Sequence, residues 1–160
     1  LLPDDIFHCK TPCLKQLVDA YPAVGGNIVA VQDVPLEHTS RYGVLKVESD
    51  DGRLIKANGM VEKPAPEAAP SRCAVSGRYI LSPEVLHELD HQKTGVKGEI
   101  QLTDAIAATV GKVPLHGFRY EGRRFDCGNK IGFLMANIEY ALDRPDLADD
   151  FKAALKTLPL

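Results

Sequence analysis

Little in this 160-residue chain points to a membrane, a nucleic acid or an oxidised exterior. No apolar run approaches the roughly 20 residues needed to span a bilayer, and the first residues lack the charged-then-apolar form of a signal peptide. There is no basic run, and a formal net charge of −3 at pH 7 argues against a nucleic-acid surface. A local cationic pocket for a phosphorylated ligand stays open. Cysteine is sparse: Cys9, Cys13, Cys73 and Cys127 lack the spacing of a disulfide framework, so reduced thiols in a cytoplasmic protein are the simplest reading. Cys9 and Cys13, beside His8, resemble half a zinc site, but no second pair follows at suitable spacing. No G-x-G-x-x-G loop, internal repeat or low-complexity tail is found. An initiator methionine is also missing. The opening Leu1-Leu2-Pro3-Asp4 reads as the tail of a buried strand whose beginning is absent, so a fragment is expected.

What is present suits one globular domain over residues 1–160, with 44% hydrophobic and 26% charged residues and length enough for a real core. Leu14, Leu17, Val18 and Tyr21 form a helical stripe after Thr11, a possible N-cap. Strands are expected at Ile28–Val31, Tyr42–Val47, Leu54–Val61 and Cys73–Leu81, with a turn at Asp50-Asp51-Gly52. Ser82-Pro83 opens a helix to about Gln92, and another covers roughly Leu102–Val110. Ile131, Leu134, Met135, Ile138 and Leu142 mark a helix from about residue 130, broken by Pro145, and a last helix follows Asp146. The expected fold is α/β, with a mixed, mostly parallel sheet flanked by helices.

Arg124–Ile131 (Arg-Phe-Asp-Cys-Gly-Asn-Lys-Ile) is the most informative stretch. A β-branched and aromatic run, Val113 to Tyr120, leads towards it, and a helical pattern leads away. Asp126 therefore sits at a strand-to-helix turn, with Gly128 letting the backbone fold tightly. Asp4 is a second strand-end acid. Two such carboxylates converging on one Mg²⁺ suit phosphoryl-type chemistry.

Glu62-Lys63-Pro64 ends a strand, where Pro64 should hold the preceding residue extended. A carboxylate there can accept from two neighbouring sugar hydroxyls, and an ammonium can neutralise a phosphate. On the tripeptide alone a solvated ion pair is the simpler reading. Gly43 and Gly77, each within a strand pattern, mark either a bulge or close approach of a ligand. His87-Glu88-Leu89-Asp90-His91 matches the zinc-peptidase H-E-x-x-H pattern, but the helix is short, Asp90 is charged and no third ligand follows. A solvated helix face is the better reading.

In order along the chain, Leu-Leu-Pro-Asp (1–4), Tyr-Gly-Val (42–44), Val-Glu-Lys-Pro (61–64), Gly-Arg-Tyr (77–79), Glu-Ile-Gln-Leu-Thr-Asp-Ala-Ile (99–106) and Asp-Cys-Gly-Asn-Lys (126–130) resemble bacterial UTP–glucose-1-phosphate uridylyltransferases (UDP-glucose pyrophosphorylases). The resemblance implies a nucleotidyltransferase-like, Rossmann-like fold and the synthesis of UDP-glucose and pyrophosphate from UTP and glucose 1-phosphate. It implies Asp4 and Asp126 as Mg²⁺ ligands, Glu62 as reader of the glucose hydroxyls and Lys63 as the sugar-phosphate contact. Gly43, Val75 and Gly77 would wall the sugar, and Lys97 would be a further phosphate contact. Asp5 is not fixed by the family pattern. The family's upstream Gly-rich nucleotide loop has no counterpart here, so little turnover is expected from this chain alone. The family is commonly oligomeric, which implies a homo-oligomer. Other readings are a nucleotidyltransferase using dTTP, ATP or GTP, and a non-catalytic sugar-phosphate-binding module.

Overall fold

The computed structural model describes residues 1–91 and 99–159. In chain order the elements are β1 (Asp5–His8), α1 (Cys13–Val24), β2 (Asn27–Asp33), β3 (Gly43–Asp50), β4 (Leu54–Glu62), β5 (Cys73–Ile80), α2 (Pro83–His91), α3 (Leu102–Thr109), β6 (Leu115–Arg119), β7 (Arg123–Asp126), α4 (Lys130–Asp143) and α5 (Ala148–Leu155). Two compact units result. One is built from Thr11–Glu121; the other joins Leu2–Lys10 to the chain from Gly122 onward.

In the larger unit β2, β5, β3, β4 and β6 pair in that order, and β6 returns to β2 to close the ring. The sheet is mixed, as expected, but it is mostly antiparallel. Among the strand pairs of this ring only β2–β6 is parallel. The cause is local: β3 and β4 are joined by a turn too short for the crossover that parallel neighbours need. Asp50 accepts from the Gly52 amide and Asp51 from the Arg53 and Leu54 amides, while Gly52 takes φ +96°. Val29, Val31, Leu45, Ile55, Val75, Ile106 and Leu115 share the core, with α2 and α3 packed on it. Each large aliphatic side chain buried there contributes about 1.5–3 kcal/mol. The buried Asn27 ties three elements together. Its amide donates to Thr109 at the end of α3 and accepts from the Ser82 amide ahead of α2.

In the smaller unit β1 and β7 form an antiparallel pair, with Asp5 opposite Asp126 and His8 opposite Arg123. Residues 1–4 form no strand of their own, and β1 begins only at Asp5. Pro3 has no N–H to give to a ladder. Asp4 therefore stands just ahead of β1. Nor does the run Val113 to Tyr120 carry Asp126. That run forms β6, and Gly122 at φ +132° turns the chain before a separate strand, β7. The stripe that marks α4 is largely exposed: Ile131 is 67% and Leu134 54% exposed, and Ala136 is the buried residue of this helix. No helix among the described residues is long and apolar enough to cross a membrane.

Candidate active site

The larger unit brings Tyr42-Gly43 and Glu62-Lys63 together because β3 and β4 place Gly43 directly opposite Glu62. The Lys63 amide donates to the Tyr42 carbonyl at 3.0 Å, closing the strand pair. Lys63 then adopts φ +45°, not the extended backbone expected before Pro64. A non-glycine residue in that region costs on the order of 1–3 kcal/mol, and such strain gathers at functional sites. The strand thus ends abruptly, with a charged side chain on each side of the break. Glu62 Oε1 lies 3.3 Å from Lys63 Nζ, and Oε2 accepts from Thr103 Oγ1 at 2.5 Å. Glu62 is half-buried and Lys63 exposed.

Gly77 belongs to a distortion of β5. Val29 pairs with Tyr79 and Val31 with Val75, so three residues of β5 face the single Ala30 of β2. Gly77 sits in that bulge at φ +44°, which a side chain would disfavour. The bulge ends the regular alternation just beyond Val75, and it leaves the buried Ser76 Oγ with no hydrogen-bond partner among the described residues. Lys97 lies outside the described residues.

The smaller unit holds the other two expected groups. The Cys127 amide donates to the Asp4 carbonyl, the Gly128 amide to Asp126 Oδ1, and the Asn129 amide to the Asp126 carbonyl. Asn129 then caps α4, its side chain accepting from the Ile131 and Gly132 amides. A Cβ on Gly128 would lie 3.1 Å from Asp4 Oδ2 and 3.2 Å from Asp126 Oδ1, so both oxygens border the space that the missing side chain leaves. Asp5 behaves differently. Only 2% exposed, it receives Arg124 Nε at 2.7 Å and Nη2 at 2.5 Å. Burial pushes its carboxyl above the ordinary value, against the pull of Arg124, and Asp4 and Asp126 push the same way as burial. Burial and the same three aspartates also push the Cys127 thiol up, which disfavours a thiolate nucleophile.

These residues fit a small hard cation. Asp4 and Asp126 offer convergent carboxylate oxygens, while Asp5 is committed to Arg124. Among the described residues no group of three or more His, Cys, Asp or Glu side chains could hold a metal ion. A cation here would take most of its oxygens from water and phosphate, as Mg²⁺ commonly does. His87 and His91 are exposed on α2, their ring centroids 4.3 Å apart, with the His91 ring bonded to the His87 carbonyl.

Sequence reasoning missed Thr103, Arg124 and Gly132. Thr103 lay inside the octapeptide 99–106, but its partner is 41 residues away. Arg124 stood two residues before Asp126 with nothing to mark Asp5 as its partner. Gly132 is required because a Cβ would come within 2.0 Å of the Asp126 carbonyl oxygen.

Comparison with known proteins gives this geometry a family. The nucleotidyl transferase family model matches residues 1–141. A UTP–glucose-1-phosphate uridylyltransferase of Komagataeibacter xylinus is 53% identical over 131 residues, covering 82% of this chain and 46% of the relative. Another, from Staphylococcus epidermidis, is 42% identical over all 160 residues and 56% of its own length. The solved UTP-bound UGPase from Acinetobacter baumannii superposes with a TM-score of 0.85 at 33% identity, covering 99% of this chain and 55% of that one. The chain spans about half the length of the curated relatives it matches. With the motifs in family order and the α/β fold shared, this chain belongs to the nucleotidyl transferase family.

Proposed function

We propose that this chain carries the sugar-phosphate-binding and metal-binding residues of an enzyme that makes UDP-glucose and pyrophosphate from UTP and glucose 1-phosphate. The observation that carries the reading is the Glu62–Lys63 break at the end of β4. There an oriented carboxylate and an ammonium stand side by side, one suited to sugar hydroxyls and the other to a phosphate. The names of the relatives support glucose 1-phosphate and UTP as the substrates. Uridylyl transfer is favoured over thymidylyl transfer because a solved putative glucose-1-phosphate thymidylyltransferase from Bacillus anthracis is only 25% identical, with a TM-score of 0.66.

In this reading a phosphate oxygen of the sugar phosphate attacks the α-phosphorus of the nucleotide in line. A new P–O bond forms as the bond to the β-phosphate oxygen breaks, and pyrophosphate leaves. No protein nucleophile is needed, so the protein's task is positioning and charge neutralisation. Glu62 accepts from the sugar hydroxyls and fixes the ring. Lys63 offsets the negative charge of the sugar phosphate, and Lys97 adds to it. Val75 and Gly77 wall the sugar beside the β5 bulge, and Gly43 supports Glu62 from β3. Asp4 and Asp126 would hold Mg²⁺, which when bound supplies charge stabilisation for the transferring phosphoryl group. The cytoplasm, a compartment that keeps cysteines reduced, is the setting we assign.

Thermal unfolding with and without glucose 1-phosphate tests the reading. A ligand that binds only the folded chain raises its stability by about 2.7 kcal/mol at a hundred times its Kd. The midpoint is expected to rise with glucose 1-phosphate, and the rise to vanish in Glu62→Gln. An unchanged midpoint in the wild-type chain, or an equal shift in Glu62→Gln, would overturn the assigned role.

A further inference from the structure

Thr103 is the second residue of α3 and only 8% exposed. A threonine so near a helix start would ordinarily turn back to cap its own helix, yet this hydroxyl donates across the unit to Glu62 Oε2 at 2.5 Å. The pair is closed in from the strand side. A Cβ at Gly43 would lie 3.1 Å from Thr103 Oγ1, 3.3 Å from Met60 Cε and 3.4 Å from Glu62 Oε2. The side chain missing at Gly43 therefore leaves the space in which hydroxyl and carboxylate meet. Glu62 is anchored through one oxygen, and Oε1 stands beside Lys63. A glutamate so held has lost most of its rotamer freedom before any ligand arrives, and that ordering then need not be met on binding.

We propose that Thr103 is a positioning residue for sugar recognition: its hydroxyl, seated in the space left by Gly43, fixes the Glu62 carboxylate as a preformed acceptor for sugar hydroxyls. This rests on the reading of Glu62 as that acceptor. Thr103 touches the carboxylate, not the ligand, so its effect should pass entirely through Glu62.

The test is calorimetric titration of glucose 1-phosphate into the wild-type chain and into Thr103→Val, Thr103→Ser, Glu62→Gln and the Thr103→Val/Glu62→Gln double variant. Losing a hydrogen bond to a charged group should weaken binding about 10-fold in Thr103→Val. Thr103→Ser, which keeps the hydroxyl, should stay within about twofold. In the Glu62→Gln background Thr103→Val should add almost nothing, because the two act as one unit. A threonine that merely anchors α3 would lower stability without this coupling or this rescue. Gly43→Ala approaches the same pair from β3 and should also weaken binding, which keeps the test open if Thr103→Val folds poorly. Weaker binding in Glu62→Gln with none in Thr103→Val or Gly43→Ala would overturn the positioning role alone. Full additivity, or failure of serine to rescue, would do the same. Unweakened binding in Glu62→Gln, or none in the wild type, would overturn the acceptor reading and this inference with it.

Discussion

Glu62 and Asp126 each end a strand, yet the two carboxylates meet opposite surroundings. Glu62 is served by the protein itself, with a hydroxyl on one oxygen and an ammonium near the other. Asp126 keeps company with Asp4 and Asp5, and the Arg124 guanidinium pairs with the buried Asp5. A finished acceptor suits a neutral, hydroxyl-bearing ligand whose groups must be matched in direction. An acidic cluster with unmatched charge suits a cation that supplies the missing charge when it binds. The same side-chain chemistry is thus prepared for different partners by what stands within a few ångströms of it.

The sharpest way to break the contrast is to remove the guanidinium that pairs with Asp5. Arg124→Met should destabilise the chain by about 3–5 kcal/mol at neutral pH, because it takes away the guanidinium that offsets a buried carboxylate beside two others. Asp5 already has a raised carboxyl, so the folded chain holds its proton more tightly than the unfolded chain does. Its contribution favours folding below the unfolded carboxylate range and is lost as pH rises through the folded value. Without Arg124 the folded value rises further. Denaturant unfolding should therefore show the deficit of Arg124→Met shrinking on acidification from neutral to about pH 5. A deficit that grows on acidification would show that Asp5 is not the group responsible.

Next in size, if Asp126 has the metal role proposed for it, Asp126→Asn should lower Mg²⁺ affinity more than about 100-fold, since a direct ligand matters more than outer-shell partners worth about 10–100-fold. Glu62→Gln should leave Mg²⁺ affinity unchanged. Magnesium titration of both variants measures the contrast directly, and equal losses would dissolve it.

Gly132→Ala should cost about 1–3 kcal/mol, because its Cβ would collide with the Asp126 carbonyl and push the first turn of α4 away. The thermal midpoint should fall, and Mg²⁺ affinity with it, as Asp126 loses its seat. A fall in the midpoint with affinity intact would separate the turn from the metal role.

The smallest effect belongs to the larger unit, where charge is matched and exposed. Arg119 donates to both Asp33 and Asp50, and through that bonding the Asp50 carboxyl is held down at about 2. This contribution is present above the unfolded carboxylate range and fades as pH falls through about 2. Solvent screening keeps it small, so Asp50→Asn should cost no more than about 1 kcal/mol at neutral pH. Its midpoint should approach that of the wild type between pH of about 4 and 2.

Much of this arrangement could be read along the chain. Alternation and turn residues marked β2 to β5, Ser82-Pro83 marked the start of α2, and Asp-Cys-Gly-Asn-Lys marked the turn that presents Asp126. Glu62-Lys63 stood out because Pro64 stops the strand beside them. These signals are local: a turn, a cap or a strand end is set by a few neighbouring residues, and those residues are adjacent in the sequence.

What tertiary structure decided were the partners. Thr103 reaches Glu62 across 41 residues and Arg124 reaches Asp5 across 119, and no periodicity encodes either meeting. The antiparallel ring, the bulge that carries Gly77 and the left-handed Lys63 likewise follow from how whole strands align. The exposed stripe of α4 shows the same limit from the other side, since periodicity gives a helix its apolar face but not what covers it. Sequence by itself determined which groups could do chemistry and where the chain would turn to present them. Only packing determined which carboxylate is finished and which lies among other acids, because electrostatics and hydrogen bonding act through space, over distances the order of residues does not record.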